Sequence, residues 1–175
     1  MKITLISASM AENSRSRILL KTLGELLENE GGSTQWIDLR DIKMEFCDGR
    51  KESYGEDVEK AKKILDQSDA LVFAYGVYCY SIPASLKNFI DIACSSMNKP
   101  FGQVIASGGN NAFLTHEHLS QILKNEVHAN AYPSVLFAAY PDYPGGKVEN
   151  EKLLGRMSEY AKNFSRWANC LSALS

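Results

Sequence analysis

"ALVFAYGVYCYSIPASLKNFIDIA", residues 70–93, contains a strand, a loop and a helix in immediate succession. Ala70–Ala74 is continuously apolar, as a strand covered on both faces must be. Ser81 and Pro83 suit a helix start, Pro83 because its fixed φ matches the first turn. Leu86, Phe89, Ile90 and Ala93 then recur on one helical face. A doubly buried strand running straight into an amphipathic helix is the repeating unit of a parallel sheet. Between them lie Tyr75, Tyr78, Cys79 and Tyr80. So many rings in a strand-to-helix loop predict a flat ligand or a partner surface against them.

The same alternation extends in both directions. "ITLIS" (residues 3–7) reads as a first strand. Ile18, Leu19, Leu23, Leu26 and Leu27 then mark a helix that stops near Gly31 and Gly32. "STQWIDL" (33–39) is a more polar second strand, and 40–55 a turn-rich loop. A charged helix follows at 56–67, with Val58, Ala61, Ile64 and Leu65 facing inward. Beyond the opening unit come a strand at 102–107, a helix at 113–127 and a fifth strand at 133–139. After "YPDYPGGK", a long helix carries Leu153, Leu154, Met157, Tyr160, Ala161, Phe164, Trp167 and Leu171. Five strands alternating with five helices predict a doubly wound parallel α/β domain spanning residues 1–175, with strand order 2-1-3-4-5.

Composition narrows the function. The 175 residues are 45% hydrophobic and 23% charged, with net charge −2 and pI near 5.9. That balance gives no footprint for nucleic acid or an anionic membrane. Cys47, Cys79, Cys94 and Cys170 form no CxxC pair, so no zinc or iron–sulfur centre is expected. The N-terminal apolar run is too short for a signal peptide or a membrane span. A reduced, cytoplasmic, soluble protein is the expectation.

In open α/β sheets, ligands sit beyond the carboxyl ends of the strands where strand order reverses, here between the first and third strands. Three loops meet there. "SASMAENSRS" (7–16) offers the hydroxyls of Ser7, Ser9, Ser14 and Ser16 ahead of a helix N-terminus, a place suited to one phosphate. Asn13 or Ser14 capping the helix is the competing reading, and Arg15 and Arg17 are candidate phosphate partners, with solvent-facing side chains as the alternative for either. There is neither GxGxxG nor GxxxxGK[ST], so the phosphate would belong to a mononucleotide. In the second loop, Tyr78, Cys79 and Tyr80 stand where they can border a planar ring. The third, "SGGNN" (107–111), permits close backbone approach at its two glycines.

These residues resemble the NAD(P)H-dependent FMN reductase family, a branch of the flavodoxin-like fold. "YSIPASLKNFID" (80–91) is similar to the family signature Tyr-Asn-x-Ser-Ile-Pro-Gly-x-Leu-Lys-Asn-Ala-Ile-Asp. "ISASMAENSRS" (6–16) stands where the family has Gly-Ser-x-Arg-x-x-Ser-x-Asn. "KPFGQVIASGGNNAFLTHEHLSQIL" (99–123) matches its fourth strand, glycine turn and following helix.

The resemblance implies a flavodoxin-like three-layer α/β/α sandwich with a five-stranded parallel sheet. It implies FMN held by the three loops and NADPH or NADH as electron donor. Ser9 and Ser14 fall on the family's phosphate serines and Ser16 on its asparagine. Tyr78 falls on the tyrosine of the second motif, Cys79 on its asparagine and Ser81 on its serine, while Ser107, Gly108 and Gly109 fall on the flavin-edge loop. A homodimer or homotetramer is implied as well. The chain departs from the pattern at Ala8 and Ala11, which replace the glycine and arginine of the first loop. It departs again at Gly76-Val77, in place of Pro-Glu, and at Cys79.

Other chemistries find less support. His116 and His118, two apart on a helix, point in divergent directions and do not read as a metal pair. No GxSxG elbow exists. Cys79 stands near a helix start, where a thiol can be activated, yet no histidine falls in the neighbouring loops. In a flavin reductase the cofactor carries the chemistry, so no catalytic residue is named. The leading expectation is an FMN-dependent oxidoreductase passing hydride from NAD(P)H to free flavin, a quinone or another small acceptor. The alternatives are a flavodoxin-like electron carrier and a flavin-poor binding or regulatory protein.

Overall fold

Strand β1 (Lys2–Ser7) is buried along nearly its whole length as an interior strand of a parallel sheet. The computed structural model describes residues 1–50, 52–95, 97–108, 114–139 and 147–172. Helix α1 (Arg15–Asn29) leads to β2 (Ser33–Asp38), which pairs with one side of β1. Helix α2 (Glu56–Asp66) then crosses over to β3 (Ala70–Gly76) on the other side. Beyond it come α3 (Ala84–Ala93), β4 (Pro100–Ser107) and α4 (Thr115–Glu126). Two short strands, β5 (Asn130–Ala131) and β6 (Leu136–Ala139), precede α5 (Glu151–Ser172).

The order is β2-β1-β3-β4-β5, with β6 also on β4. This is the expected 2-1-3-4-5 sheet with its fifth position occupied in two pieces. Phe101 is level with Ala131 in the first piece and Val104 with Leu136 in the second. The Tyr132 N–H still donates to Phe101 O at 2.7 Å, and the chain leaves the ladder at 133–135, where Pro133 has no N–H to donate. The sequence reading placed the whole fifth strand at 133–139 and missed Asn130–Ala131.

Two apolar layers flank the sheet. On one face Leu19, Leu20, Leu23 and Leu27 of α1 meet Met157, Ala161 and Phe164 of α5 over Ile3, Leu5 and Val72. On the other, Val58 of α2, Phe89 of α3 and Leu119 and Leu123 of α4 cover Ile6, Phe73 and Ile105. Each such fully buried large side chain contributes about 1.5–3 kcal/mol relative to exposure. The three-layer sandwich follows from this alternation of faces along each strand. Among the described residues no helix is long and apolar enough to cross a membrane.

A polar seam repairs the break in the fifth strand. The Gln103 N–H, facing the gap in the ladder, donates to Tyr160 Oη of α5 at 2.9 Å. The hydroxyl sits so close to β4 that a Cβ on Gly102 would collide with it. On the opposite face, Tyr75 Oη donates to Gln103 Oε1 at 2.7 Å, and Gln103 Nε2 donates to Ser120 Oγ at 2.9 Å. One glutamine thereby joins β3, β4 and α4, while its backbone joins α5. Burial pushes both tyrosine hydroxyls above their ordinary pKa, so both stay protonated donors.

Tyr160→Phe leaves the buried Gln103 amide unpaired and should cost about 1–3 kcal/mol in urea denaturation. Faster hydrogen exchange at that one amide would accompany the loss. The buried Cys94 thiol at the end of α3 is pushed by burial, and secondarily by the Asp91 carboxylate, from its ordinary 9.0 up to about 12. The unfolded chain releases this proton first. The contribution of Cys94 is therefore whole below pH 9.0 and is lost as pH rises toward about 12. Cys94→Ala should flatten the alkaline decline of stability over that window.

Candidate functional site

Parallel register brings the carboxyl ends of four strands together. Ser7 is level with Ala74 and with Asp38, and Gly76 is level with Ala106. The chain turns outward from β1 to β2 and returns across the sheet to β3, which opens a crevice above the β1–β3 boundary. A cavity of about 300 Å³ lies there. The first loop contributes Ser9, Ser14, Arg15 and Ser16, the second Gly76, Val77 and Tyr78, and the third Ser107 and Gly108.

Ser9, Ser14 and Ser16 are all buried at this cavity's edge. Ser14 is the N-cap of α1, its Oγ accepting the Arg17 N–H at 3.2 Å. The same Oγ lies 3.1 Å from Ser16 Oγ, and Ser9 Oγ accepts the Ala11 N–H at 3.3 Å. Capping and anion-binding readings therefore coincide in Ser14. An α-helix N-terminus flanked by hydroxyls is a ready anion site, through free amides and the positive end of the helix dipole.

Arg17 does not serve this cavity as a phosphate partner. Its guanidinium turns away, to Asp38 and to carbonyls of its own loop. Arg15 is the cation that lines the cavity. The sequence offered both arginines because nothing in their spacing distinguishes a side chain reaching outward from one reaching back.

The second loop is a tight turn. The Tyr78 N–H donates to Ser81 O at 3.1 Å and the Ser81 N–H to Tyr78 O at 2.9 Å. Cys79 and Tyr80 at its tip have φ of 49° and 60°, in the left-handed region. Two-residue turns of this kind favour Asn-Gly, so each L side chain here costs about 1–2 kcal/mol. Tyr78 is 55% and Tyr80 70% exposed. Tyr78 lines the cavity, whereas Cys79 and Tyr80 are exposed and do not line it.

Ser81 points elsewhere, its Oγ 3.0 Å from His118 Nδ1 on α4. It lines a wider groove of about 700 Å³ between α3 and α4, with Ile82 and Ile122 at its base. Pro83, not Ser81, is the N-cap of α3, and no side chain caps that helix. The larger groove has its main charges already satisfied, Lys87 Nζ lying 2.6 Å from Asp91 Oδ1. His116 pairs with Glu117 at 3.0 Å, so the two histidines of "HEH" do diverge. No metal-binding cluster occurs among the described residues.

Ser107 closes β4 and is buried, and open space surrounds Gly108. Gly109 lies outside the described residues. Two residues passed over in the sequence, Ser85 and Asp38, prove to shape the site. Ser85 Oγ in the first turn of α3 donates to Ala8 O at 2.7 Å, tying the second loop's helix to the first loop. Asp38 and Arg17 tie that loop to β2. Only Asp38, an acid at a strand's carboxyl end, carried a signal that could have singled it out.

Comparison with known proteins agrees with this fold. The sequence model described as NADPH-dependent FMN reductase matches residues 1–142. An NAD(P)H-dependent FAD/FMN reductase of Geobacillus thermodenitrificans (strain NG80-2) is 32% identical over 95 residues, 53% of this chain and 48% of the relative. An NAD(P)H:quinone oxidoreductase of Solanum tuberosum is 29% identical over 128 residues, 69% of this chain and 66% of the relative. The chain thus spans about half and about two-thirds of the lengths of these curated relatives. The flavoenzyme NAD(P)H:(acceptor) oxidoreductase FerB of Paracoccus denitrificans superposes with a TM-score of 0.77 at 20% identity, covering 96% of this chain and 97% of FerB. An NADH:FMN oxidoreductase in its apo form also gives 0.77, at 18% identity over 93% of this chain and 87% of that one. With a flavodoxin-like sheet, a serine-lined crevice at its crossover and a family match over most of its length, the chain belongs to the NADPH-dependent FMN reductase family.

Proposed function

We propose that this protein, acting as one domain over residues 1–175, is an FMN-dependent oxidoreductase. It takes electrons from NADPH or NADH and passes them to free flavin, a quinone or another small acceptor. The observation that carries this reading is the convergence of Ser9, Ser14, Ser16, Tyr78, Ser107 and Gly108 on one crevice at the strand crossover. The residues fit the group. Three buried hydroxyls at a helix N-terminus suit the dianionic phosphate, and the tyrosine-rich turn offers a surface for a flat ring.

In this proposal Ser9, Ser14 and Ser16 hold the phosphate, with the α1 N-terminus opposing its charge. Tyr78, Cys79 and Tyr80 border the ring, and Ser81 serves it only through the backbone pairing with Tyr78 that fixes where the tyrosines project. Ser107, Gly108 and Gly109 meet its polar edge with backbone groups. Bound FMN supplies two-electron hydride chemistry, which asks of the protein position and electrostatics rather than an acid or base. Four free cysteines fit a reducing, cytoplasmic compartment. The exposed Tyr80 and Phe46, together with the α3–α4 groove, support a homodimer or homotetramer.

Purified protein should acquire a bound-flavin spectrum with FMN, and NADPH or NADH should bleach it anaerobically. Turnover with quinone or flavin is then expected; bound FMN that neither nucleotide bleaches would favour an electron carrier. Ser14→Ala should weaken FMN binding about tenfold or more, since a hydrogen bond to a charged group is worth about 1.5–3 kcal/mol. Its cost to folding, as a lost cap, should be about 1 kcal/mol. Replacing Cys79 by Asn and Tyr80 by Gly should relieve the left-handed strain and raise stability by about 1–2 kcal/mol. The same double variant should bind flavin or acceptor less well, because the Tyr80 ring is lost; unchanged affinity would remove Tyr80 from the site.

A further inference from the structure

The guanidinium of Arg17 is used to saturation. Its Nε donates to Asp38 Oδ2 at 2.6 Å and one Nη2 hydrogen to Asp38 Oδ1 at 3.0 Å, a two-pronged ion pair. The other Nη2 hydrogen goes to Ser9 O at 2.9 Å. Nη1 donates to Ala11 O at 3.0 Å and, at 3.5 Å, to Glu12 O. Arginine has five N–H donors, and all five are engaged here. Three successive parts of the β1–α1 loop thus turn their carbonyls toward one cation. Arg17 and Asp38 are only 21% and 19% exposed, so water competes little for this geometry.

This has a consequence for the other side of the loop. A peptide whose carbonyl is drawn inward presents its N–H the other way. The Glu12 carbonyl shares its peptide with the Asn13 N–H, which has no hydrogen-bond partner among the described residues, and Asn13 lines the serine cavity. Asp38 also accepts the Arg40 N–H at 3.1 Å, which fixes the carboxylate at the end of β2.

We infer that Arg17 and Asp38 are positioning residues that hold the first loop in its anion-receiving shape. They touch no ligand. The pair does by backbone orientation what a direct cation would do by charge, in a loop that has Ala11 where the family pattern has arginine. Asp38 is correspondingly unavailable for the ribose contact made by acids at this strand end in dinucleotide folds. The inference rests on the phosphate reading of the first loop given above.

Arg17→Lys keeps the charge, but a single ammonium cannot span both carboxylate oxygens and three carbonyls. Asp38→Asn removes the anchor from the other side. Both variants, in the full chain, are titrated with FMN and with riboflavin, which has the same ring and no phosphate, and their thermal unfolding is recorded. Wild type should prefer FMN by roughly tenfold or more, the phosphate being bound through charge-assisted hydrogen bonds. Each variant should lose most of that preference while riboflavin affinity stays within about twofold, and the double variant should lose no more than either single one. A preference for FMN that persists in both variants overturns the inference and leaves the phosphate site intact. Parallel loss of FMN and riboflavin binding, with a lowered Tm, also overturns it, since that is a general structural role. No preference in wild type overturns the phosphate reading itself. If Arg17→Lys does not fold, Asp38→Asn decides by the same ratio.

Discussion

A parallel sheet cannot connect its neighbouring strands by tight hairpins, and that constraint organises everything else in this molecule. Each strand must be followed by a helix that returns the chain to the starting edge. All strand-to-helix loops therefore collect at one end, and both faces are covered. Buried on both sides, β1, β3 and β4 have no free side-chain face for chemistry. Polar groups that act on a ligand can stand only in the loops. The crossover from β2 over β1 to β3 then leaves one gap between those loops, and Ser9, Ser14, Ser16 and Tyr78 gather in it.

The described parts of the site's loops are tied to one another and to the sheet. Ser85 binds the first loop to α3, Arg17 binds it to β2, and Val77 N–H continues the ladder onto Ala106 O at 3.2 Å. Behind them, Gln103 locks β3, β4 and α4 together through Tyr75 and Ser120. A buried amide fully satisfied in this way specifies one arrangement of the elements around it. Among the described residues of the three loops, left-handed backbone at non-glycine positions falls on Cys79 and Tyr80, whose turn stands exposed. Strain is tolerated there because the Tyr78–Ser81 pairing on either side over-determines it.

How much of this was readable in the sequence differs by element. The continuous apolar run at 70–74 and the leucines of α1 gave strands and helices directly, because burial depends on side-chain type and period alone. The crossover, and with it the loops of the crevice, followed from the strand order. The two-residue strand at Asn130–Ala131 was invisible, because its pairing depends on β4 and not on its own composition. Tyr160 was legible as a buried member of the α5 stripe, but not as the group that replaces a missing strand partner. The place of Arg17 stays open in the sequence for a related reason. Whether an arginine reaches a ligand or its own backbone depends on the loop's path, which residue spacing does not encode. Ser81 likewise matched a signature position, while its bond to His118 depends on how α4 packs.

The split fifth strand has a consequence beyond folding. A sheet edge is a row of unsatisfied donors and acceptors on which a foreign strand can dock. Here that row is interrupted. Pro133 falls in the interval between β5 and β6, and Arg156 of α5 donates to the Phe137 carbonyl at 2.6 Å. Tyr160 occupies the gap from beneath. An incoming strand would find two residues of ladder, a break and then four more. The irregularity that cost β4 a regular partner also makes this edge a poor template for aggregation, so the protein can keep an open α/β sheet without a covering strand on that side.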